Sequence, residues 1–407
     1  MARVYEAIPI AEGFYWVGAV DWGLRDFHGY ATHRGTTYNS YLMTTPSGRN
    51  VVFDGVKEPF VDVMLSRIAS VVDPASVDTV VSNHAEMDHS GGLPRLCAAL
   101  SPSRILASQA GVKNLSMQLE GFSGVTAVGD GEVVDLGGEQ AVFMETRMLH
   151  WPDSMFSYLP SRRILVSQDA FGMHLASAEL FAHRVDRALL REEAGRYYAN
   201  ILMPYSRLVT ALLSKVASAG LTLDVIAPDH GPVWVEGREP GPSFITGLYA
   251  EWAAQKPTRK AVVSFDTMWK STETMALAIA EGLEAGGATS VVLPLHGSHR
   301  SDVAYELLEA GALLLGTPTI NNNLFPTVAD LVAYLRGLRR QNLVGAAFGS
   351  HGWSGEGVRQ LSAAMAEMKI DLLHPGLSVQ FRPDGSALSA CRELGAATAA
   401  RLAAGEA

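Results

Sequence analysis

Four side chains able to bind a metal fall within six residues of the run Ser82-Asn83-His84-Ala85-Glu86-Met87-Asp88-His89-Ser90-Gly91-Gly92. The run follows Val77-Asp78-Thr79-Val80-Val81, a mostly β-branched segment that reads as a buried strand, and Gly91-Gly92 reads as the turn that ends the loop. A loop opening from the carboxyl end of a strand is where α/β folds usually present their chemistry. Imidazole nitrogens and carboxylate oxygens suit first-row ions. Alternating positions can point at one ion while the adjacent Asp88-His89 pair serves a second. The bland alternative is a polar surface loop with an accidental spacing, and four ligand types so close together weigh against it.

The same grammar of a short apolar run, a His or Asp, and then turn residues recurs three times. It is seen in Met148-Leu149-His150-Trp151-Pro152-Asp153-Ser154, in Ile164-Leu165-Val166-Ser167-Gln168-Asp169, and in Val225-Ile226-Ala227-Pro228-Asp229-His230-Gly231-Pro232. Each alone is an ordinary strand end. Together they supply seven candidate ligands: His84, Glu86, Asp88, His89, His150, Asp169 and His230. That is too many for one tetrahedral ion and about right for two ions sharing a bridging carboxylate.

At 407 residues the chain is too long for one ordinary core. Apolar residues make up 48% and charged residues 18%, as in a folded globular protein. A net charge of −10 argues against a nucleic-acid partner, which needs a clustered basic surface. No apolar run is long enough to span a bilayer. The first residues, Met1-Ala2-Arg3-Val4-Tyr5-Glu6, lack the apolar core of a signal peptide, and Glu12 interrupts the next apolar stretch. The two cysteines, Cys97 and Cys391, form no Cys-x-x-Cys pair, so neither a zinc ribbon nor a rubredoxin-type iron site is expected. A reduced, cytoplasmic protein is the plain inference.

Before the first motif, Phe14-Tyr15-Trp16-Val17 reads as a strand. Residues 35–42 and 51–54 read as paired strands, and 21–30 as a loop rich in aromatics and charge. His28 in that loop is either a pocket residue or a hydrogen-bonded loop histidine. A polar linker at 253–258 marks a boundary, after which strands and helices alternate. Strands are expected at 260–265, 289–293, 312–316 and 345–349, with helices to about 283, at 328–338 and at 358–368. The result is a doubly wound parallel sheet with ligand loops at the strand carboxyl ends.

Those loops resemble the three cofactor loops of flavodoxin. In the first, Thr267-Met268-Trp269-Lys270-Ser271-Thr272 offers hydroxyls and backbone N–H groups at a helix N-terminus, suited to a mononucleotide phosphate. Lys270-Ser271 stands where some relatives carry Gly-Asn. The second is Gly316-Thr317-Pro318-Thr319-Ile320-Asn321-Asn322-Asn323, and the third Gly349-Ser350-His351-Gly352-Trp353-Ser354-Gly355-Glu356. Trp353, between glycine and serine, is placed to pack on an isoalloxazine face, or else is simply an exposed or interface tryptophan. His351 either contacts that ring or caps it.

The N-terminal motifs resemble the metallo-β-lactamase superfamily, a four-layer αββα sandwich. Its usual His-x-His-x-Asp-His has Glu86 here in place of the second His. A harder, charged oxygen donor favours iron over a zinc-hydroxide hydrolase. Joined to a flavodoxin-like half, the pattern resembles the flavodiiron proteins over essentially the whole chain. The resemblance implies a lactamase-like diiron domain at 1–253 and an FMN-binding flavodoxin-like domain at 254–407. It gives one iron to His84, Glu86 and His150 and the other to Asp88, His89 and His230, with Asp169 bridging. His28, Trp151 and Asp153 would stand behind the ligands, and His28, His174 and Phe156 are the residues whose directions would set the pocket.

The implied activity is reduction of O2 to water, of NO to N2O, or both, with FMN passing electrons from a separate donor such as rubredoxin. Reduced FMN carries two electrons and two ferrous ions one each, the number that O2 needs. Relatives are head-to-tail homodimers or dimers of dimers. The alternatives are a zinc hydrolase with a fused flavodoxin domain, which Glu86 opposes, and an electron-transfer protein without metal, which the complete ligand set opposes.

Overall fold

The β-branched run becomes the strand Val77–Ser82, the fifth of seven in a mixed sheet. In spatial order that sheet holds Ile8–Ala11, Phe14–Trp16, Tyr41–Met43, Asn50–Phe53, Val77–Ser82, Arg104–Ser108 and Val125–Val128. The first four are antiparallel neighbours and the rest run parallel. This computed structural model describes residues 5–405; residues 1–4, part of the stretch read above for a signal peptide, lie outside the described residues.

Side-chain alternation explains the layering. Tyr41, Met43, Val51, Phe53 and Val81 face a second sheet, whereas Leu42, Val52 and Val80 join a core with Met64, Ile68, Leu93, Leu96 and Leu115 of the helices Val61–Val71, Leu93–Leu100 and Gln109–Gln118. The second sheet is Val133–Asp135, Gln140–Glu145, Met155–Leu159, Ile164–Val166, Val225–Ala227 and Trp234–Val235. Its Phe143, Met155, Ile164, Val166 and Ala227 close the inter-sheet core. Leu165 and Ile226 on the opposite face are also buried, so both sides of this sheet are covered.

The chain forms two units. The first takes the described residues up to Phe27, Thr32–Tyr197 and Arg207–Ala250; the second takes His28–Ala31, Tyr198–Ser206 and everything described from Glu251 on. Two short segments from the N-terminal half thus pack with the second unit. Ala31 N donates to Ser301 Oγ (3.1 Å), Asn200 Nδ2 to Ser301 O (3.3 Å) and Tyr334 OH to Asn200 Oδ1 (2.7 Å).

The second unit is a wholly parallel sheet in the order Thr289–Pro294, Lys260–Phe265, Ala312–Pro318, Val344–His351, with Asp371–Leu372 and Leu377–Gln380 sharing the last position. In chain order this is 2-1-3-4-5, whose switch point lies beside the first strand. On one face the helices Ser271–Ala285 and Gly385–Gly405 approach so closely that a Cβ at Gly282 would stand 2.1 Å from Arg392 O, and one at Gly395 2.1 Å from Ile279 O. The final two strands and the last helix were not expected from sequence, because the strands are short and half exposed.

Candidate functional site

Four strand ends of the first unit converge on one buried cluster. Beyond Val77–Ser82 a short loop carries His84 and Glu86, two residues apart, with the backbone extended at Glu86 and the two side chains 3.3 Å apart. The helical turn Met87–Ser90 then redirects Asp88 and His89. His150 comes from the loop before Met155–Leu159, Asp169 from the end of Ile164–Val166, and His230 from the end of Val225–Ala227.

The side chains form two groups that meet at Asp169. Nε2 of His84 and of His150 lie 3.3 and 3.1 Å from Glu86 Oε2, and 3.4 and 3.0 Å from Asp169 Oδ2. Nε2 of His89 and of His230 lie 3.4 and 3.2 Å from Asp88 Oδ2, and 3.2 and 3.5 Å from Asp169 Oδ1. One carboxylate therefore offers one oxygen to each group. His84, Glu86, Asp88, His89, Asp169 and His230 are each no more than 5% exposed.

Such a cluster demands positive charge. Burial opposes every ionised group here, yet Glu86, Asp88 and Asp169 are held below the carboxylate range by the surrounding imidazoles. Burial likewise opposes protonating the histidines, yet the carboxylates push His84 and His150 up and His89 to about 10. Both Asp88 oxygens, both His89 ring nitrogens and Asp169 Oδ1 are buried without a hydrogen-bond partner. Divalent cations meet the same demand and release the histidine protons, so this donor set fits a pair of metal ions.

Behind the ligands stand residues that orient them. Asp153 Oδ2 faces His84 Nδ1 at 3.3 Å and accepts from Ala85 N (2.6 Å), while its Oδ1 accepts from Asn114 Nδ2 (2.8 Å). Asp229 Oδ2 lies 3.5 Å from His89 Nδ1. His230 Nδ1 donates to Thr37 O at 2.6 Å. Gln168 bonds Asp169 N through Oε1 (2.6 Å) and Leu149 O through Nε2 (2.6 Å), joining two ligand loops. Asp54 accepts from both Asn83 N and Asn83 Nδ2, fixing the strand end before His84. The sequence reading picked out Asp153 but not Asp229, Gln168, Asp54 or Thr37. For Asp229 a signal existed, since the Pro-Asp of residues 228–229 repeats that of 152–153.

Rings wall the cluster. Trp151 meets His84 edge-on with centroids 5.4 Å apart. Phe27, Tyr197 and His230 lie 4.7, 5.1 and 4.6 Å from His174. Burial, then the neighbouring His230, holds His174 well below its ordinary range, so its ring is neutral. Phe156 is buried and its ring lies 6.2 Å from Phe171. His28 is exposed and belongs to the second unit.

In the second unit the three predicted loops meet at the carboxyl ends of the parallel strands. Thr272 Oγ1 and Ser350 Oγ are 3.0 Å apart, joining the first loop to the third, and Ser354 Oγ donates to Asn322 Oδ1 at 3.1 Å, joining the third to the second. Thr319 N donates to Ser350 O, and Thr317 Oγ1 accepts from Phe325 N. His351 Nδ1 is bonded to Ser378 Oγ (3.1 Å), which caps the strand rather than leaving the ring loose. Lys270 precedes the helix Ser271–Ala285 at φ +63°, a left-handed path that a glycine would take without strain. Thr267 Oγ1 is buried without a partner beside that helix start, which fits a phosphate group. Trp353 and Trp269 are 89% and 90% exposed, so neither is a core residue.

Residues 36–231 match the family described as ODP family beta lactamase, and residues 263–395 match Flavodoxin. The chain is 42% identical over 402 residues to the nitric oxide reductase of Moorella thermoacetica, spanning 98% of this chain and 99% of that one. The solved structure of rubredoxin oxygen:oxidoreductase from Desulfovibrio gigas superposes with a TM-score of 0.96 at 38% identity, covering 99% of this chain and all of the other. That of the flavodiiron protein from Giardia intestinalis gives 0.93 at 31%, covering 98% and 97%.

This chain belongs to the flavodiiron proteins. It is therefore an oxidoreductase whose cofactors are FMN and a non-haem diiron centre, and whose fold is a metallo-β-lactamase-like domain followed by a flavodoxin-like one. The zinc-hydrolase alternative falls with that membership. Like its relatives, this flavodiiron protein works with gas substrates and a redox partner. Among the described residues no helix is long and apolar enough to cross a membrane.

Proposed function

We propose that this flavodiiron protein reduces O2 to water, NO to N2O, or both, at two irons held by its first unit, with electrons arriving through FMN held by its second. The first iron is assigned to His84, Glu86 and His150, the second to Asp88, His89 and His230, and the bridge to Asp169. The observation that carries this is the pair of donor groups sharing one carboxylate, with an oxygen of Asp169 turned to each. When bound, the irons supply redox equivalents and open coordination positions for a diatomic gas.

The chain's own residues do the rest. Asp153 and Thr37 hold His84 and His230 by their Nδ1 atoms and leave Nε2 as the donor, and Asp229 faces His89 Nδ1 at 3.5 Å. Trp151, Phe27, His174 and Tyr197 pack around the ligands, and burial of six of the seven to 5% exposure or less favours a small gas over a hydrolysable substrate. In the second unit, Thr267, Ser271, Thr272 and the helix N-terminus are assigned to the FMN phosphate, residues 317–322 and 350–355 to the rest of the cofactor, and Trp353 to its ring face.

The electron donor is proposed to be a rubredoxin, in line with the name of the Desulfovibrio gigas relative. A head-to-tail homodimer and a cytoplasmic location complete the reading, the latter supported by two free thiols. The test is an anaerobic assay of purified protein with measured iron and FMN, comparing O2 and NO consumption from one pre-reduced rubredoxin. Consumption of at least one gas is expected. Protein loaded with FMN and two irons that consumes neither would refute the proposal.

A further inference from the structure

Residues 35–42 read from sequence as one strand, but the structure breaks it into Thr36–Tyr38, which pairs with Ala19–Asp21, and Tyr41–Met43 in the seven-stranded sheet. At the break lies Asn39, which is fully buried. Its backbone N donates to Asp229 O (2.7 Å), its Nδ2 to Pro228 O (2.7 Å) and Gly231 O (2.9 Å), and its Oδ1 accepts from Trp16 Nε1 (2.8 Å). The Trp16 bond fixes which end of the amide is which, so both Nδ2 hydrogens are directed at the 228–231 loop. Tyr41 OH donates to the same Pro228 O at 2.5 Å, and Thr37 Oγ1 accepts from Gly231 N at 2.7 Å. Thr37 O then accepts a hydrogen bond from His230 Nδ1.

We propose that Thr37 and Asn39, at the break in the segment 36–41, form a positioning clamp for the second metal group, while the adjacent Ser40 bonds Phe53 O and Asp54 O instead. The clamp grips His230 directly through Thr37, and it grips the backbone of Asp229, whose Oδ2 lies 3.5 Å from His89 Nδ1. The first group is held by a different set: His84 through Asp153, and the loop of His150 through Gln168. Gln168 O also accepts from Asp229 N (2.8 Å), so the two sets meet at the backbone of that loop, but the side chains that bond the backbone of Pro228 and Gly231 are those of Thr37, Asn39 and Tyr41. The clamp residues are thus positioning residues, two steps removed from any substrate. The inference rests on the diiron assignment above and sharpens it, because it makes the two irons separately addressable.

The experiment uses the full chain, reconstituted anaerobically with isotopically enriched ferrous iron and FMN. It records iron per FMN, the Mössbauer doublets, and iron release to a chelator. Wild type, Asn39→Ala, Thr37→Val and Thr37→Ser are compared. Thr37→Val keeps the shape and loses the acceptor for Gly231 N, whereas Thr37→Ser keeps the acceptor and loses only a methyl. The clamp predicts that Asn39→Ala and Thr37→Val release one iron of the pair about tenfold or more faster and change one doublet, with the other iron and FMN unaltered. Thr37→Ser should behave as wild type. A packing role predicts the reverse order of the Thr37 variants, and that result would overturn the clamp, as would release of both irons in step. If Asn39→Ala does not fold, the two Thr37 variants decide. Wild-type protein that takes up no second iron would instead refute the diiron assignment.

Discussion

Asp153 offers a way to weaken one metal group without touching a ligand. Its carboxylate has three donors: His84 Nδ1 at 3.3 Å and Ala85 N at 2.6 Å on Oδ2, and Asn114 Nδ2 at 2.8 Å on Oδ1. In Asp153→Asn the amide oxygen can stay in the Oδ2 position and keep His84 and Ala85, while its nitrogen meets Asn114, whose own amide can turn to accept. Only the charge is lost, about 1 kcal/mol at a bond of this kind, or roughly a fivefold fall in iron affinity. Asp153→Ala removes both acceptor oxygens and leaves all three donors without them. The share that reaches His84 is one charged hydrogen bond, about 1.5–3 kcal/mol, which is roughly ten- to a hundredfold in affinity. Chelator competition against wild type, with Mössbauer spectra to tell the irons apart, measures both. The effect should fall on one iron of the pair, since no contact of Asp153 reaches His89 or His230. Equal losses for Asn and Ala, or loss of both irons in proportion, would refute the reasoning. So would an Ala variant that binds iron like wild type.

Other perturbations test the scaffold. Arg340, 7% exposed and still charged with burial pushing it down to about 10, spends its donors on the carbonyls of Leu307, Ala310 and Gln255. Arg340→Met should therefore lower the stability of the second unit by about 3 kcal/mol in urea titrations that follow FMN release. Gly282→Ala gains about 1 kcal/mol of helix propensity, but its Cβ would sit 2.1 Å from Arg392 O. Overpacking of that order costs about 1–3 kcal/mol or more, so the melting temperature should fall rather than rise. Lys270→Gly relieves a left-handed lysine worth about 1 kcal/mol and should leave FMN affinity within about twofold, as read by flavin fluorescence titration. Burial pushes the Cys97 thiol up to about 12. At pH 8 it should alkylate about a thousandfold slower than an exposed cysteine in a mass-spectrometric time course.

The ligands were legible because their chemistry is local. His84, Glu86, Asp88 and His89 lie within one loop, and Asp169 and His230 each follow a short apolar run that forms a strand. Met148-Leu149 before His150 instead forms a turn, so His150 sits in the loop between Gln140–Glu145 and Met155–Leu159. The parallel sheet was legible for the same reason, with strands such as Ala312–Pro318 buried on both faces along their whole length. What sequence did not reveal depends on partners far along the chain. Asn39 is an ordinary residue in a strand-like run until Pro228 and Gly231, about 190 positions away, are folded over it. Asp54 acquires its role only when Asn83 arrives. Nothing in residues 28–31 or 198–206 marks them as parts of the second unit, because what holds them there is Arg300, Ser301 and Tyr334.

Charge explains why these distant supports exist. Glu86, Asp88 and Asp169 bring three negative charges into a site that is almost wholly buried, and burial by itself would neutralise them by raising their pKa. A histidine in place of Glu86 would leave one fewer charge to compensate. With Glu86 the site calls for more positive charge, as a redox-active pair supplies when it moves between ferrous and ferric. It also needs firm outer supports, since ligands that shifted with each change in iron charge would add a reorganisation cost to every electron transfer. A carboxylate behind His84 and a carbonyl behind His230 fix two imidazoles in one tautomer whatever the charge in front of them, and Asp229 stands 3.5 Å behind His89. The same single substitution that tilts the donor set away from zinc hydrolysis therefore raises the demands on Asp153, Asp229 and the clamp around Asn39.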